Sequence, residues 1–110
     1  MKVLVCGGRD FDDMAMVERV LGEVEITELI EGGAKGADTL ARTWAKDNEI
    51  PVRTFKADWG RYRKGAGPIR NRQMIDEGKP DLVVAFPGGR GTANMVGLAR
   101  AAGLPVRLVA

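Results

Sequence analysis

The sequence predicts an α/β domain of the doubly wound type: a parallel five-stranded sheet in the order 3-2-1-4-5 with helices on both faces. Three observations carry that prediction. Short apolar runs alternate with segments of helical spacing along all 110 residues. Glycine clusters close several of the apolar runs, and the connections are short. Right-handed crossovers then select the strand order. No linker, repeat or low-complexity tract interrupts the pattern, so residues 1–110 are expected to form one domain around one sheet.

The elements follow in order. "KVLVC" (Lys2 to Cys6) is an apolar run ended by Gly7-Gly8, the pattern of a strand buried on both faces. Asp12 or Asp13 can cap the next helix, in which Val17, Val20, Leu21 and Val24 recur at helical spacing. "ITELIEGG" supplies a second strand, shorter and more polar. "AKGADTLARTWA" supplies a second helix with Leu40, Ala41, Trp44 and Ala45 on its buried stripe. Pro51 opens a third strand, "VRTFKA". The irregular "DWGRYRKGAGPI" then leads into a third helix through "RNRQMIDEG". "PDLVVAF" is the most apolar strand, and Pro87 closes it. A fourth helix presents Met95, Leu98, Ala99 and Ala102 on one face; Gly103 ends it, and "PVRLV" is the last strand.

Composition narrows the chemistry. With 45% hydrophobic and 29% charged residues the chain reads as a soluble globular protein. No apolar run spans a bilayer, "MKVLVCGG" is too short and too charged for a secretion signal, and a cytoplasmic setting is expected. Cys6 is the single cysteine, so no intrachain disulfide forms; it ends a buried strand with no activating neighbour and reads as packing. The chain has no histidine, which excludes Ser-His and Cys-His nucleophile pairs and His-ligated zinc. No metal and no cofactor is called for. Net charge is +2, yet Asp12 to Glu31 is acidic and Arg53 to Arg72 basic. That asymmetry describes either two solvated faces or a basic stretch that meets an anion.

In a doubly wound sheet, ligands bind beyond the carboxyl ends of the strands where the winding reverses, here between strands one and four. The loops there are "GGRDF" and "PGGRGT", with "EGGAKGAD" beside them. Glycine permits positive φ and lets backbone N–H groups approach a ligand, and a helix N-terminus adds unpaired donors. Gly88, Gly89, Gly91 and Thr92 therefore suit a phosphate, with Gly7, Gly8, Arg9 and Asp10 on one side and Gly33, Lys35, Gly36 and Asp38 on the other. Asp38 is equally placed to cap the second helix, and that role is favoured. Arg9, Lys35, Arg70 and Arg90 are candidates for phosphate pairing. Trp59 either stacks on a base or anchors its loop in the core; Trp44 reads as core or subunit contact. Asn71 either bonds a ribose or base or holds the preceding loop. The glycine loops match neither a Walker A sequence nor G-x-G-x-x-G.

Taken in order, "CGGRDF", "EGGAKGAD", "ADWGRYRKGAGPIRNRQM" and "PDLVVAFPGGRGTANM" resemble the YspA and cpYpsA-related branch of the SLOG superfamily, over nearly the whole chain. The resemblance implies a Rossmann-like fold and a nucleotide or nucleotide-derived ligand, often in phage and bacterial-conflict settings. The LOG phosphoribohydrolases of that superfamily carry P-G-G-x-G-T-x-x-E, which matches Pro87, Gly88, Gly89, Gly91 and Thr92. Their upstream Arg matches Arg70. Their catalytic Glu falls on Met95, whose thioether neither accepts a proton nor stabilises an oxocarbenium ion.

The expectation is therefore a binding module, with no catalytic residue assigned. It would sense or sequester a nucleotide-derived small molecule, such as an ADP-ribose-type or cyclic nucleotide signal. Two alternatives stand beside it. One is a phosphoribohydrolase or other nucleotide hydrolase using Asp10 or Asp38. The other is single-stranded DNA binding of the DprA kind, which the near-neutral total charge and few aromatics count against. Relatives form oligomers, and a homo-oligomer is expected; a membrane partner is not.

Overall fold

Strand β1 (Lys2–Cys6) sends Val3 and Val5 into one buried cluster and Leu4 and Cys6 into another. The two-residue period of a strand divides it this way, and only a sheet covered on both faces can use such a run. Strand β4 (Leu82–Ala85) does the same: Val84 and the following Phe86 join Val3 and Val5, while Val83 and Ala85 join Leu4. These two strands pair in parallel with Leu4 opposite Val83 and Cys6 opposite Ala85. The computed structural model describes all residues, 1–110.

The other elements are α1 (Met14–Leu21), β2 (Glu28–Glu31), α2 (Ala37–Asp47), β3 (Val52–Thr54), α3 (Trp59–Tyr62), α4 (Ala66–Asp76), α5 (Arg90–Ala101) and β5 (Val106–Leu108). A 3-10 turn, Arg63–Gly65, joins α3 to α4. All five strands run parallel in the order β3-β2-β1-β4-β5. Helices α1 and α2 cover one face through Val17, Val20, Leu21, Ala41, Trp44 and Ala45. Met74 of α4 and Met95 and Ala99 of α5 cover the other. Each large apolar side chain so buried contributes about 1.5–3 kcal/mol. No helix is long and apolar enough to cross a membrane.

The predicted class and strand order are those observed, and several boundaries shift: β2 begins at Glu28 instead of Ile26, and β3, expected to run through Ala57, ends at Thr54. Helix α1 ends at Leu21, so Val24 packs on the core from the turn beyond it. Asp13 provides its cap, accepting from the Met16 N–H at 3.0 Å. The segment expected to be irregular is largely helical: Asp58 caps α3 through the Arg61 N–H, and α4 begins at Ala66, ahead of the expected start. Pro68 sits in the first turn of α4, where a missing N–H costs nothing. Ala102, expected on the buried face of α5, is its exposed C-cap. Gly103 beyond it takes φ +75°, which ends the helix.

Glycines join the loops at the carboxyl edge. Gly36 adopts φ +79°, and a Cβ there would collide with the Gly8 carbonyl oxygen and the Arg9 backbone. Gly97, midway along α5, faces open space. Gly36→Ala should therefore destabilise the fold by more than about 2 kcal/mol. Gly97→Ala should stabilise it by about 0.5–1 kcal/mol. Urea midpoints moving in opposite directions, at unchanged slope, check both.

Candidate functional site

A cleft of about 540 Å³ opens at the carboxyl ends of β1 and β4, the position the winding reversal predicts. It brings together Gly7, Gly8, Arg9, Asp38, Trp59, Arg70, Asn71, Gly89, Gly91 and Thr92. Asp10 and Gly88 lie instead in an adjoining, more open hollow, which shares Gly8, Arg9 and Gly89 with the cleft. Gly33, Lys35 and Gly36 line neither. Among residues the sequence did not single out for the site, Lys64, Met74 and Asn94 line the cleft. Lys64 belongs to the basic run between Arg53 and Arg72, whereas no local signal marks Asn94.

The glycines divide into two kinds. A Cβ on Gly7 would lie 2.6 Å from the Ala37 Cβ, and one on Gly8 would lie 3.0 Å from the Pro87 carbonyl oxygen. A Cβ on Gly88 would lie 2.6 Å from the Gly8 nitrogen. These glycines let loops pack on one another and are not primarily a cradle. A Cβ on Gly89 or Gly91 would meet nothing within 4 Å, so the space above them is free for a ligand. Gly89 is the N-cap of α5 and supplies no side-chain cap, which leaves the first N–H groups of that helix open to the cleft. A helix N-terminus in that condition favours an anion.

The cations of the cleft have no carboxylate partners. The only ion pair in the chain is Arg107 with Glu23, at 3.0 Å on the surface. Arg9, Lys64, Arg70 and Arg90 all line the cleft unpaired. Arg9 lies over the Trp59 ring, 5.6 Å from its centroid, a cation–π contact. Trp59 is 48% exposed, so it anchors no core and stands at the rim of the cleft with Arg9 over one side of its ring. Trp44 is the core tryptophan.

Arg70 is held in place by neutral groups. Its Nη1 donates to the Gly32 carbonyl and its Nε to Asn71 Oδ1 at 3.0 Å. Asn71, buried, donates from Nδ2 to the Gly91 carbonyl at 3.2 Å and to Asn94 Oδ1 at 2.9 Å. It therefore ties α4 to the first turn of α5. Burial lowers the Arg70 pKa from its ordinary value, partly opposed by Asp38, but a guanidinium remains charged.

Asp38 is not the cap of α2, contrary to the favoured sequence reading. Gly36 is the N-cap, and the Asp38 carboxylate turns back to the preceding loop. Its Oδ2 accepts from the Gly32 N–H at 3.0 Å and the Ala34 N–H at 3.2 Å. Burial pushes its pKa up to about 6; Glu31 adds to the rise, and the two N–H groups and Arg70 oppose it. Glu31 itself is fully buried, accepting from the Gly33 N–H at 2.7 Å and from the Thr54 hydroxyl. The Cys6 thiol is pushed up to about 12 by burial and then by Asp38, which leaves it inert. Met95 is fully buried among Leu4, Cys6, Met74 and Ala99, outside the cleft.

Comparison with known proteins adds three findings. The model of the YspA, cpYpsA-related SLOG family matches residues 1–62. The Gene 61 protein of Mycobacterium phage D29 is 34% identical over 118 residues, covering 96% of this chain and 93% of that protein. The crystal structure of Acinetobacter baumannii MurG superposes with a TM-score of 0.58 at 16% identity, over 97% of this chain. The chain spans 34% of the MurG chain, and that likeness is one of Rossmann-like fold.

The Asp38 pKa has a consequence for stability. An unfolded aspartate titrates near 3.8, the folded one at about 6. Between those values the folded state binds more protons, so stability falls as pH rises through the window and is level above it. The loss should amount to about 2–3 kcal/mol. Relative to the native protein, Asp38→Asn should gain that amount between pH values of roughly 4 and 7. Urea denaturation of both proteins across the range, read as a difference, checks it.

Proposed function

The chain belongs to the YspA, cpYpsA-related SLOG family, which supports nucleotide-related binding or processing in general, and from that premise we propose that it binds a nucleotide-derived small molecule without cleaving it. The observation that carries this reading is the charge of the cleft. Arg9, Lys64, Arg70 and Arg90 line the cleft onto which the uncapped N-terminus of α5 opens, against the single carboxyl of Asp38. Such a site attracts phosphate. The phosphates would lie on the N–H groups above Gly89 and Gly91, with the Thr92 hydroxyl and Arg70 as further partners. The base would stack on Trp59 at the rim. A phosphate-bearing signal of the ADP-ribose or cyclic nucleotide type fits this division of labour, and the phage relative favours sequestration or sensing as the role.

One observation supports a second reading. A carboxyl poised at about 6 inside a cleft has the pKa of a general acid, so Asp38 is the residue a hydrolase would use. Asp10, exposed in the adjoining hollow, is less well placed. The position that holds Glu in LOG enzymes holds Met95 inside the core, where a carboxylate would be buried without a partner.

Calorimetry with AMP, ADP, ADP-ribose and cyclic AMP, and their guanine counterparts, tests the proposal. At least one should bind, and Arg70→Gln should weaken it about 10- to 100-fold. Trp59→Ala should weaken it by about an order of magnitude. Intact ligand should be recovered by mass spectrometry after incubation and denaturation. Release of free base, abolished by Asp38→Asn, would replace this reading with the hydrolase. No binding across the series would overturn both.

A further inference from the structure

The floor of the cleft holds an unpaired acceptor beside an unpaired donor, and we propose that they recognise the sugar of the ligand, with Asp38 selecting ribose over deoxyribose. The inference rests on the nucleotide-binding reading above and names the part of the ligand that meets this floor.

Asp38 is only 6% exposed and lines the cleft. Both of its hydrogen bonds, from the Gly32 and Ala34 N–H groups, go to Oδ2. Oδ1 accepts nothing from the protein, yet it is not among the sealed, unsatisfied atoms of the interior. It is thus an acceptor left for whatever enters the cleft, and a buried carboxylate oxygen without a donor is costly. Arg70 is the complementary case. Its Nε and Nη1 are committed to Asn71 and Gly32, Nη2 has no partner, and no ion pair joins it to Asp38.

Depth decides which part of a nucleotide reaches these groups. Trp59 and Gly89 to Gly91 are exposed and form the rim; Asp38, Asn71 and Met74 are buried and form the floor. A ligand with its base on Trp59 and its phosphate on α5 lays its middle, the sugar, across the floor. A phosphate is unsuited to Asp38, since like charges repel. A hydroxyl suits it: vicinal ribose hydroxyls donate to Oδ1 while Arg70 Nη2 donates to a sugar or phosphate oxygen. A site built to bond a hydroxyl rejects the analogue that lacks it, because its own buried group is then left unpaired.

The test is calorimetry with ADP and GDP and with their 2′-deoxy, 3′-deoxy and 2′,3′-dideoxy forms. The dideoxy compounds should bind about 10- to 100-fold more weakly than the parent. Asp38→Asn, checked for folding by circular dichroism, should shrink that ratio by weakening ADP or GDP and sparing the dideoxy forms. Equal affinity of parent and 2′-deoxy compounds, equal affinity of parent and dideoxy compounds, or a ratio unchanged by Asp38→Asn overturns the sugar assignment and leaves the binding reading standing. If only another nucleotide of the series above binds, its own deoxy forms replace these; if none of that series binds, both readings fall. Should Asp38→Asn not fold, the native protein's ratio between parent and dideoxy compounds decides alone.

Discussion

Gly8 is where three loops meet through backbone alone, and the geometry of the cleft depends on that contact. Its N–H donates to the Pro87 carbonyl at 2.8 Å, and its carbonyl accepts from the Ala37 N–H at 3.1 Å and the Phe11 N–H at 3.3 Å. The loop after β1 is thereby fastened to the loop after β4 and to the start of α2. No side chain could be added at the contact without moving one of them, since Gly7, Gly36 and Gly88 each face a neighbouring loop at less than ordinary contact distance. One consequence concerns the helices. The first N–H of α2 is already spent on Gly8, whereas the start of α5 has no such partner. Of these two helices, α5 is the one whose first N–H is left free for an anion.

Around that fixed edge, polar groups are arranged by burial more than by ion pairing. Arg70 reaches from α4 to the loop after β2, and Asn71 reaches from α4 to α5, so one pair of adjacent residues braces both walls. Neutral carbonyl and amide oxygens hold the guanidinium, and no ion pair closes on it, although Asp38 and Glu31 lie near enough to favour its charge. Asp38 is treated in the opposite way: two N–H groups support its charge, but desolvation outweighs them and its pKa rises. The fold therefore carries an acidic group at a cost above pH values of about 6. A purely structural site would be better served by a neutral side chain.

Much of this is legible in the residues, for definite physical reasons. β1 and β4 announce themselves because a strand covered on both faces must be apolar throughout, and Gly7-Gly8 and Pro87 mark where each stops. The loops that converge follow from the strand order. What the residues do not reveal is the difference between glycines of one loop: Gly88 yields to a neighbouring loop, and Gly89 to open space, which depends on contacts distant in sequence. Asp38 departs from the capping rule because an aspartate near the start of a helix suits two partners. The deciding feature, the loop 32–34 folding back over it, is set by positive φ at Gly33 and Gly36. Gly-Pro in "GAGPI" suggests a break, yet Pro68 falls in a first turn that tolerates it. Glu31 reads as the polar end of a weak strand and is instead a buried acceptor for Gly33 and Thr54.

The absent LOG carboxylate is a property of the core as much as of the cleft. Met95 packs against Leu4 and Cys6 of β1 and Met74 of α4, joining the sheet to both helices on that face. Its replacement for Glu is thus not an isolated loss at an otherwise catalytic surface, because the side chain at that position is fully buried in an apolar cluster. Asn94, one residue earlier, lines the cleft, and its side chain is engaged with Asn71. Neither residue can replace the proton transfers of a glycosidase. What this face of the site retains is the set of groups that act on charge and shape: open helix N–H groups, unpaired arginines and an exposed indole. These groups neither accept nor give up a proton near neutral pH. Proton transfer in the cleft therefore falls to the opposite wall, where Asp38 is the sole carboxyl.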